Sequence, residues 1–414
     1  MRIATLLLTC VLISLAAAPA AADRNLHPRE LRLNSAAAFT RTKTGRVAFI
    51  GGSITEMNGY RPIIAGGLQK RFPDTKFTFI DAGIASTCST TGSHRLEEDV
   101  FSKAEAAGGK VDLFFIEFAV NDDQDAHHAK REAIRGMEGI IRQCRRHNPQ
   151  MDIVVTHFVN EGMLATFAKG GVPVSIEAHE AVCEHYGVAS VNLAKEVSQS
   201  IESKSLTWKA YGGVHPGPVG NTLAATLCVT LLETAWGRNA GDTTPVIVDA
   251  VVKPIDYKLP EKPLDEGNYG AGQFVDVKEA KLAAGWTVEV PDWKKISGSF
   301  RDRFGGKALL LCSTPHEGDG KGSGEVKLDF EGQAIGVYVL AGPDAGTVEV
   351  SIDGGEWKKV NLYHNYSGGL HYPRTAMLAT DLKSGKHTLA MRMSAEHDKR
   401  SKGTAARILK FAVN

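Results

Sequence analysis

The chain has 414 residues, 43% of them hydrophobic, enough to bury a sizeable core and to divide into two domains. Its 48 basic and 47 acidic residues cancel, so there is no global field to draw in nucleic acid or an anionic membrane surface, and neither is expected as a partner. Five cysteines follow the apolar start (Cys88, Cys144, Cys183, Cys228 and Cys312); they are scattered, odd in number and without a C-x-x-C pair, which argues against a zinc site or a disulfide framework while leaving room for one disulfide.

Met1 and Arg2 give a positive start, Ile3 to Ala18 is almost wholly apolar, and Pro19-Ala20-Ala21-Ala22 supplies small residues before Asp23. This reads as a signal peptide over 1–22, cleaved near Ala22, and predicts a secreted or periplasmic protein. The run is short for a membrane span of roughly 20 residues, and Cys10 lies too near the start for an ordinary lipoprotein site.

From Arg46 to about Trp236, short apolar runs alternate with helical patterns, as in a parallel sheet covered by helices. Strands are expected at Val47–Ile50, Phe77–Ile80, Leu113–Ile116, Ile153–Thr156 and Ala189–Val191, all buried on both faces. Helices are expected over Arg61–Phe72, Ala129–His147, Ile176–His185 and Asn221–Trp236, where apolar residues recur at spacings of three and four. These elements place an α/β domain at 23–240. Prolines and glycines mark a linker over 241–270, and alternating patterns such as Thr347–Ile352 and His387–Met393 predict a jelly-roll-like β-sandwich over 271–414. Pro315 to Gly324, rich in glycine and charge, reads as an exposed loop.

Ser53 closes the first strand in Phe49-Ile50-Gly51-Gly52-Ser53-Ile54-Thr55, at the sheet edge where α/β folds place their ligands. Later strands end in Asp81-Ala82-Gly83-Ile84 and in Glu117-Phe118-Ala119-Val120-Asn121-Asp122, and Gly213-Val214-His215-Pro216 precedes the last helix. An ester carbonyl needs a nucleophile, a base that returns its proton to the leaving alcohol, and donors for the oxyanion. Ser53 and His215 suit the first two tasks. The N–H groups of Ser53 and Gly83 and the Asn121 amide suit the third. An α/β-hydrolase elbow is disfavoured, because Thr55 stands where the second glycine of Gly-x-Ser-x-Gly belongs.

In these four blocks, spread over roughly 44–238, the chain resembles the SGNH, or GDSL-like, hydrolases. The resemblance implies a flavodoxin-like three-layer α/β/α domain and serine esterase chemistry with no cofactor and no metal. Two positions depart from the pattern. Ala119 replaces a glycine, and Gly212 stands three residues before His215, where the family carries the aspartate that orients the histidine. Losing that carboxylate from a serine-protease triad costs about ten-thousand-fold. Asp122 and Glu56, with Asp123 and Glu117 also near, are candidate replacements; a backbone carbonyl near Tyr211 or Gly212 is the preferred one.

Further candidates border the expected pocket. His94 and Arg95 end the polar stretch 87–95, and Tyr363, His364 and His371 lie in an aromatic, glycine-containing loop suited to sugar rings. His127-His128 with Asp122, Asp123 and Asp125 reads as a solvated helix entry rather than a metal site. The expected function is removal of small acyl groups, acetyl above all, from an oligo- or polysaccharide. The alternatives are an esterase or lipase for other esters and an SGNH-fold glycan-binding protein with impaired catalysis.

Overall fold

The computed structural model describes residues 25–238, 244, 246, 248, 252–317 and 321–414. The expected signal peptide and part of the expected linker lie outside them. Among the described residues no helix is long and apolar enough to cross a membrane.

The first domain is built on six strands: β1 (Leu26–His27), β2 (Thr44–Gly51), β3 (Lys76–Gly83), β4 (Leu113–Glu117), β5 (Asp152–Thr156) and β6 (Ala189–Val191). Their spatial order is β1-β6-β5-β4-β2-β3, parallel except for the two-residue β1, which pairs antiparallel with β6. All five expected strands are present. β4, β5 and β6 are buried at every position, as covered parallel strands should be. β3 differs from expectation: it is the sheet edge, and Phe79 is 39% exposed.

Helices cover both faces. Lys130–His147 buries Ala133, Met137, Ile140, Ile141 and Cys144, a stripe at helical spacing, and ends in Arg145, Arg146 and His147, which suit the negative end of its dipole. Met137, Ile140, Ile141 and Cys144 join one apolar cluster with Ala48, Ile50, Phe114 and Ile116; on the other face Val47, Phe49, Phe115 and Val154 pack with Ala224, Leu227 and Leu231 of Pro218–Ala235. The helices Asn34–Thr42, Glu161–Ala168 and Leu193–Glu202 are additions to the expected set.

The described part of the 241–270 linker is not a loose tether. Tyr257 donates to Asp152 Oδ1 at 2.5 Å, the N–H groups of Leu264 and Asp265 donate to Glu138, and Tyr269 donates to Glu132. The chain is thereby laid along the first domain before entering the second.

The second domain holds β7 (Gln273–Asp276), β8 (Thr287–Glu289), β9 (Leu309–Cys312), β10 (His316–Glu317), β11 (Lys321–Gly322), β12 (Val326–Gly332), β13 (Ile335–Ala341), β14 (Thr347–Ile352), β15 (Lys358–Asn361), β16 (Tyr372–Ala379), β17 (Gly385–Met393) and β18 (Ala406–Val413). One sheet runs β12-β17-β14-β15 and the other β16-β13-β18-β9-β8, with β7 also on β18; all pairs are antiparallel. Val337, Val339, Phe411, Leu389 and Met391 fill the space between them. The two domains are joined by direct bonds, including Thr91 Oγ1 to Thr375 Oγ1 at 2.9 Å and the pairing of Arg135 with Asp381. All five described cysteines are free and buried, so no disulfide forms among them.

Candidate active site

Strand β2 stops at Gly51–Gly52 because the space beside both glycines is taken. A side chain at 51 would meet the Glu117 carbonyl oxygen at 2.6 Å, and one at 52 would meet Asn121 Oδ1 at 2.0 Å. The chain therefore turns at once into the short helix Ser53–Glu56, which leaves the Ser53 N–H without an acceptor among the described residues. His215 arrives from the opposite side, on the loop before helix Pro218–Ala235. Its Nε2 lies 2.8 Å from Ser53 Oγ.

That loop is glycine-built. Gly212 has φ 110° and Gly213 φ 83°, and Gly217 N–H closes the turn onto Tyr211 O at 2.8 Å. The latter bond occupies the Tyr211 carbonyl. Among the described residues the only side-chain hydrogen bond of His215 is the one to Ser53, and its ring is exposed. Neither expected carboxylate reaches it. Asp122 is wholly buried and accepts from Ser89 N–H, Ser89 Oγ and His179 Nε2, with His128 Nδ1 at 3.5 Å. Those neighbours, His128 foremost, hold Asp122 far below the usual carboxylate range in spite of burial. Glu56 accepts from Ala85 N–H and pairs with Arg303 at 3.2 Å.

Asn121 begins an irregular helical turn, Asn121–Asp125, and its Nδ2 donates to Asp125 Oδ2 at 2.5 Å while its Oδ1 faces Gly52. Gly83 does not fit the role expected of it. Its N–H donates to Asp81 Oδ1 at 2.9 Å, and the glycine is required because a Cβ would lie 2.3 Å from Glu56 N. Further along the same loop, Ile84 N–H goes to Gly51 O, Ala85 N–H to Glu56 and Thr87 N–H to Ile84 O. Ser86 is the one residue in 83–87 whose N–H has no acceptor among the described residues, and its φ is 75°, in the left-handed region. Sequence reading missed it, since it looked for a glycine. Two residues of the second domain grip it: Arg301 donates to Ser86 Oγ at 2.7 Å and Tyr372 to Ser86 O at 3.2 Å.

Beneath the nucleophile turn lies Glu117, wholly buried, with Oε2 accepting from Thr55 Oγ1 at 3.2 Å and from Gly52 N–H at 3.4 Å. Burial pushes its pKa up to about 7, with Asp122 and Asp125 adding to the rise.

The remaining candidates prove to be scaffold. His94 is buried with Nδ1 against Thr90 O, and desolvation lowers its pKa to about 4. Arg95 is spent on Ala82 O, Gly51 O and Asp99. His364 is buried, stacked on Tyr372 and bonded to Asp125 O at 2.7 Å; His371 is buried against Ser297 O; Tyr363 is buried beneath Arg400. These groups were expected at a sugar-facing surface and instead brace the domain interface and the sandwich edge. Cys88, Asp122 and His128 form one group whose ligand-type atoms lie within 4.8 Å of one another. The three bonds already on Asp122 account for its charge without an ion.

A serine hydroxyl on the carboxyl edge of a parallel sheet, bonded to an imidazole and with its own N–H unspent among the described residues, defines a serine ester hydrolase. Residues 49–223 match the model of the GDSL-like lipase/acylhydrolase family. No curated protein matches the chain. Two solved structures share the whole two-domain arrangement: a two-domain esterase (CEX) active on acetylated mannans, co-crystallised with mannopentaose (18% identity, TM-score 0.70, 95% of this chain and 97% of that one), and the same esterase without that ligand (18%, 0.69, 95% and 98%). At this identity the likeness establishes the fold.

Proposed function

We propose that the protein is an exported serine esterase that removes small acyl groups, chiefly acetyl, from carbohydrate through an acyl-enzyme. The observation that carries this reading is the 2.8 Å bond between Ser53 Oγ and His215 Nε2. Ser53 Oγ attacks the acetyl carbonyl as Nε2 takes its proton; the tetrahedral intermediate expels the sugar oxygen, which receives that proton. Water then repeats the cycle on the acyl-serine and releases acetate. The oxyanion is held by the N–H groups of Ser53 and Ser86 and by Asn121 Nδ2. Three things support carbohydrate as the acyl carrier: the shared architecture with an esterase active on acetylated mannans, the amino-terminal export pattern, and the groove next to the His215 loop, which combines the Trp208 indole with Asp123, Gln124 and Asn160.

The test is acetate release from a panel of acetylated glycans and from a simple alkyl acetate, comparing the mature protein with Ser53→Ala. Release by the first and none by the second supports the assignment. Sugar binding with no release by either protein would replace it with the glycan-binding reading, which is favoured by His215 Nδ1 having no partner among the described residues. A preference for long-chain acyl esters would overturn the carbohydrate assignment.

A further inference from the structure

Beside His215 the surface opens into a groove of about 560 Å³, whose lining includes Asp123, Gln124, His127, Asn160, Trp208 and Val214. The indole of Trp208 is fixed twice over: its N–H donates to Glu161 Oε1 at 2.8 Å, and one face stacks on the fully buried Tyr211 ring at 5.4 Å and 16°. Part of the indole packs against the apolar core, and the side chain also lines the groove. Trp208 also belongs to the element that sets the catalytic base. It opens the helix Trp208–Tyr211, capped by Thr207, and its carbonyl accepts from the N–H groups of Gly212 and Gly213, three and two residues before His215.

The rim is equally fixed. Asn160 caps the helix Glu161–Ala168 through Oδ1, at 2.8 Å from Met163 N–H, and with Nδ2 it holds Asp123 Oδ2 at 2.8 Å. Asp123 Oδ1 takes no hydrogen bond from any described residue, and the exposed His127 is set at φ 49° on the same edge. A rigid aromatic face beside planar amide and carboxylate groups matches a pyranose, which offers C–H faces to the ring and vicinal hydroxyls to the rim. The lining carries two carboxylates, Asp123 and Glu161, and no lysine or arginine. An anionic sugar is therefore disfavoured.

We propose that this groove is a subsite for a neutral pyranose of the glycan chain, held on Trp208 with its hydroxyls on Asp123 and Asn160 while a neighbouring residue presents its acetyl group to Ser53. The proposal rests on the esterase reading for its catalytic half. Its location differs from the aromatic loop 362–372 of the second domain, because every lining residue belongs to the first.

The experiment compares Trp208→Ala, Trp208→Phe and Asp123→Ala with the wild type on an acetylated neutral oligosaccharide and on a simple alkyl acetate, which has no sugar to bind. Expected is a fall in kcat/KM of roughly tenfold, about 1.4 kcal/mol, on the oligosaccharide for Trp208→Ala, carried mainly by KM. The alkyl acetate should stay within about twofold, and Trp208→Phe, which keeps a flat face, should recover most of the loss. Equal losses on both substrates would overturn the proposal by showing that Trp208 only positions the His215 loop; no loss on either would overturn it by showing an idle groove. Calorimetric titration with the deacetylated oligosaccharide and with a uronate-containing one reads the subsite separately. Binding of the neutral sugar that Trp208→Ala abolishes supports it even if no ester is cleaved, and equal or tighter binding of the acidic sugar refutes the selectivity.

Discussion

Glu117→Gln isolates the energetic cost of the carboxyl group beneath the nucleophile. The folded protein raises this group from 4.5 to about 7 because it is removed from water, and among the described residues only the bonds from Gly52 N–H and Thr55 Oγ1 offset that. Below pH 4.5 it is protonated whether the chain is folded or not, and its contribution to stability is fully present. Between 4.5 and about 7 the folded state keeps the proton that the unfolded state has lost, so stability falls as the pH rises; above that the loss is complete. At about 1.4 kcal/mol for each tenfold change in proton affinity, the whole effect is roughly 3 kcal/mol. Glutamine has nearly the same shape and no proton to lose. Urea unfolding at pH 5 and pH 8 should show the variant gaining about 2.5 kcal/mol relative to wild type between the two conditions, since part of the loss is already present at pH 5. Asp152, also raised by burial, to about 6, titrates in both proteins and cancels in the comparison. The same difference between variant and wild type at both pH values would refute the reasoning.

Asn121→Ala removes one oxyanion donor and should lower kcat on any acetate by about a hundred- to a thousand-fold, measured by acetate release, with circular dichroism unchanged. Arg301→Ala frees the Ser86 hydroxyl from the second domain; loss of one such bond should lower kcat on the alkyl acetate by roughly tenfold, with KM nearly unchanged, and steady-state kinetics on that substrate separate the two.

The parallel strands were legible because a strand covered on both faces must be an uninterrupted apolar run, as Leu113–Ile116 and Ile153–Val155 are. The edge position of β3 was not: Phe77 and Phe79 are as apolar as any core strand, and only the packing partners decide which strand comes last. Ser53 and His215 could be read from sequence because the chemistry fixes both residue types. The backbone donor proposed at Ser86 could not, since a backbone N–H carries no side-chain signature and a left-handed φ at a serine is not announced by its residue type. The polar stretch 87–95 and the loop 362–372 misled for a common physical reason. Their polar groups find partners across the domain interface, as Thr91 does on Thr375 and His364 on the Asp125 carbonyl. A sequence pattern reports polarity, and polarity satisfied by another domain is indistinguishable from polarity offered to solvent.

The absent aspartate before His215 invites an obvious repair, Gly212→Asp, and the turn forbids it. Gly212 has φ 110°, where an L side chain costs about 1–3 kcal/mol, and a Cβ there would lie 1.9 Å from the backbone nitrogen of Gly217. That nitrogen is the one that closes the loop onto Tyr211. Admitting any side chain must open the turn and move His215 off Ser53, so the variant should melt lower and lose activity. A variant with normal melting and a higher kcat would show that this account of the loop is wrong. The glycine also fits the exposure of the base. A buried imidazolium needs a carboxylate because it has left water, but the ring of His215 is exposed, and at 4 Å in water a unit charge pair is worth only about 1 kcal/mol. What a carboxylate would add at such a site is chiefly orientation, and the closed glycine turn and the bond to Ser53 already supply it.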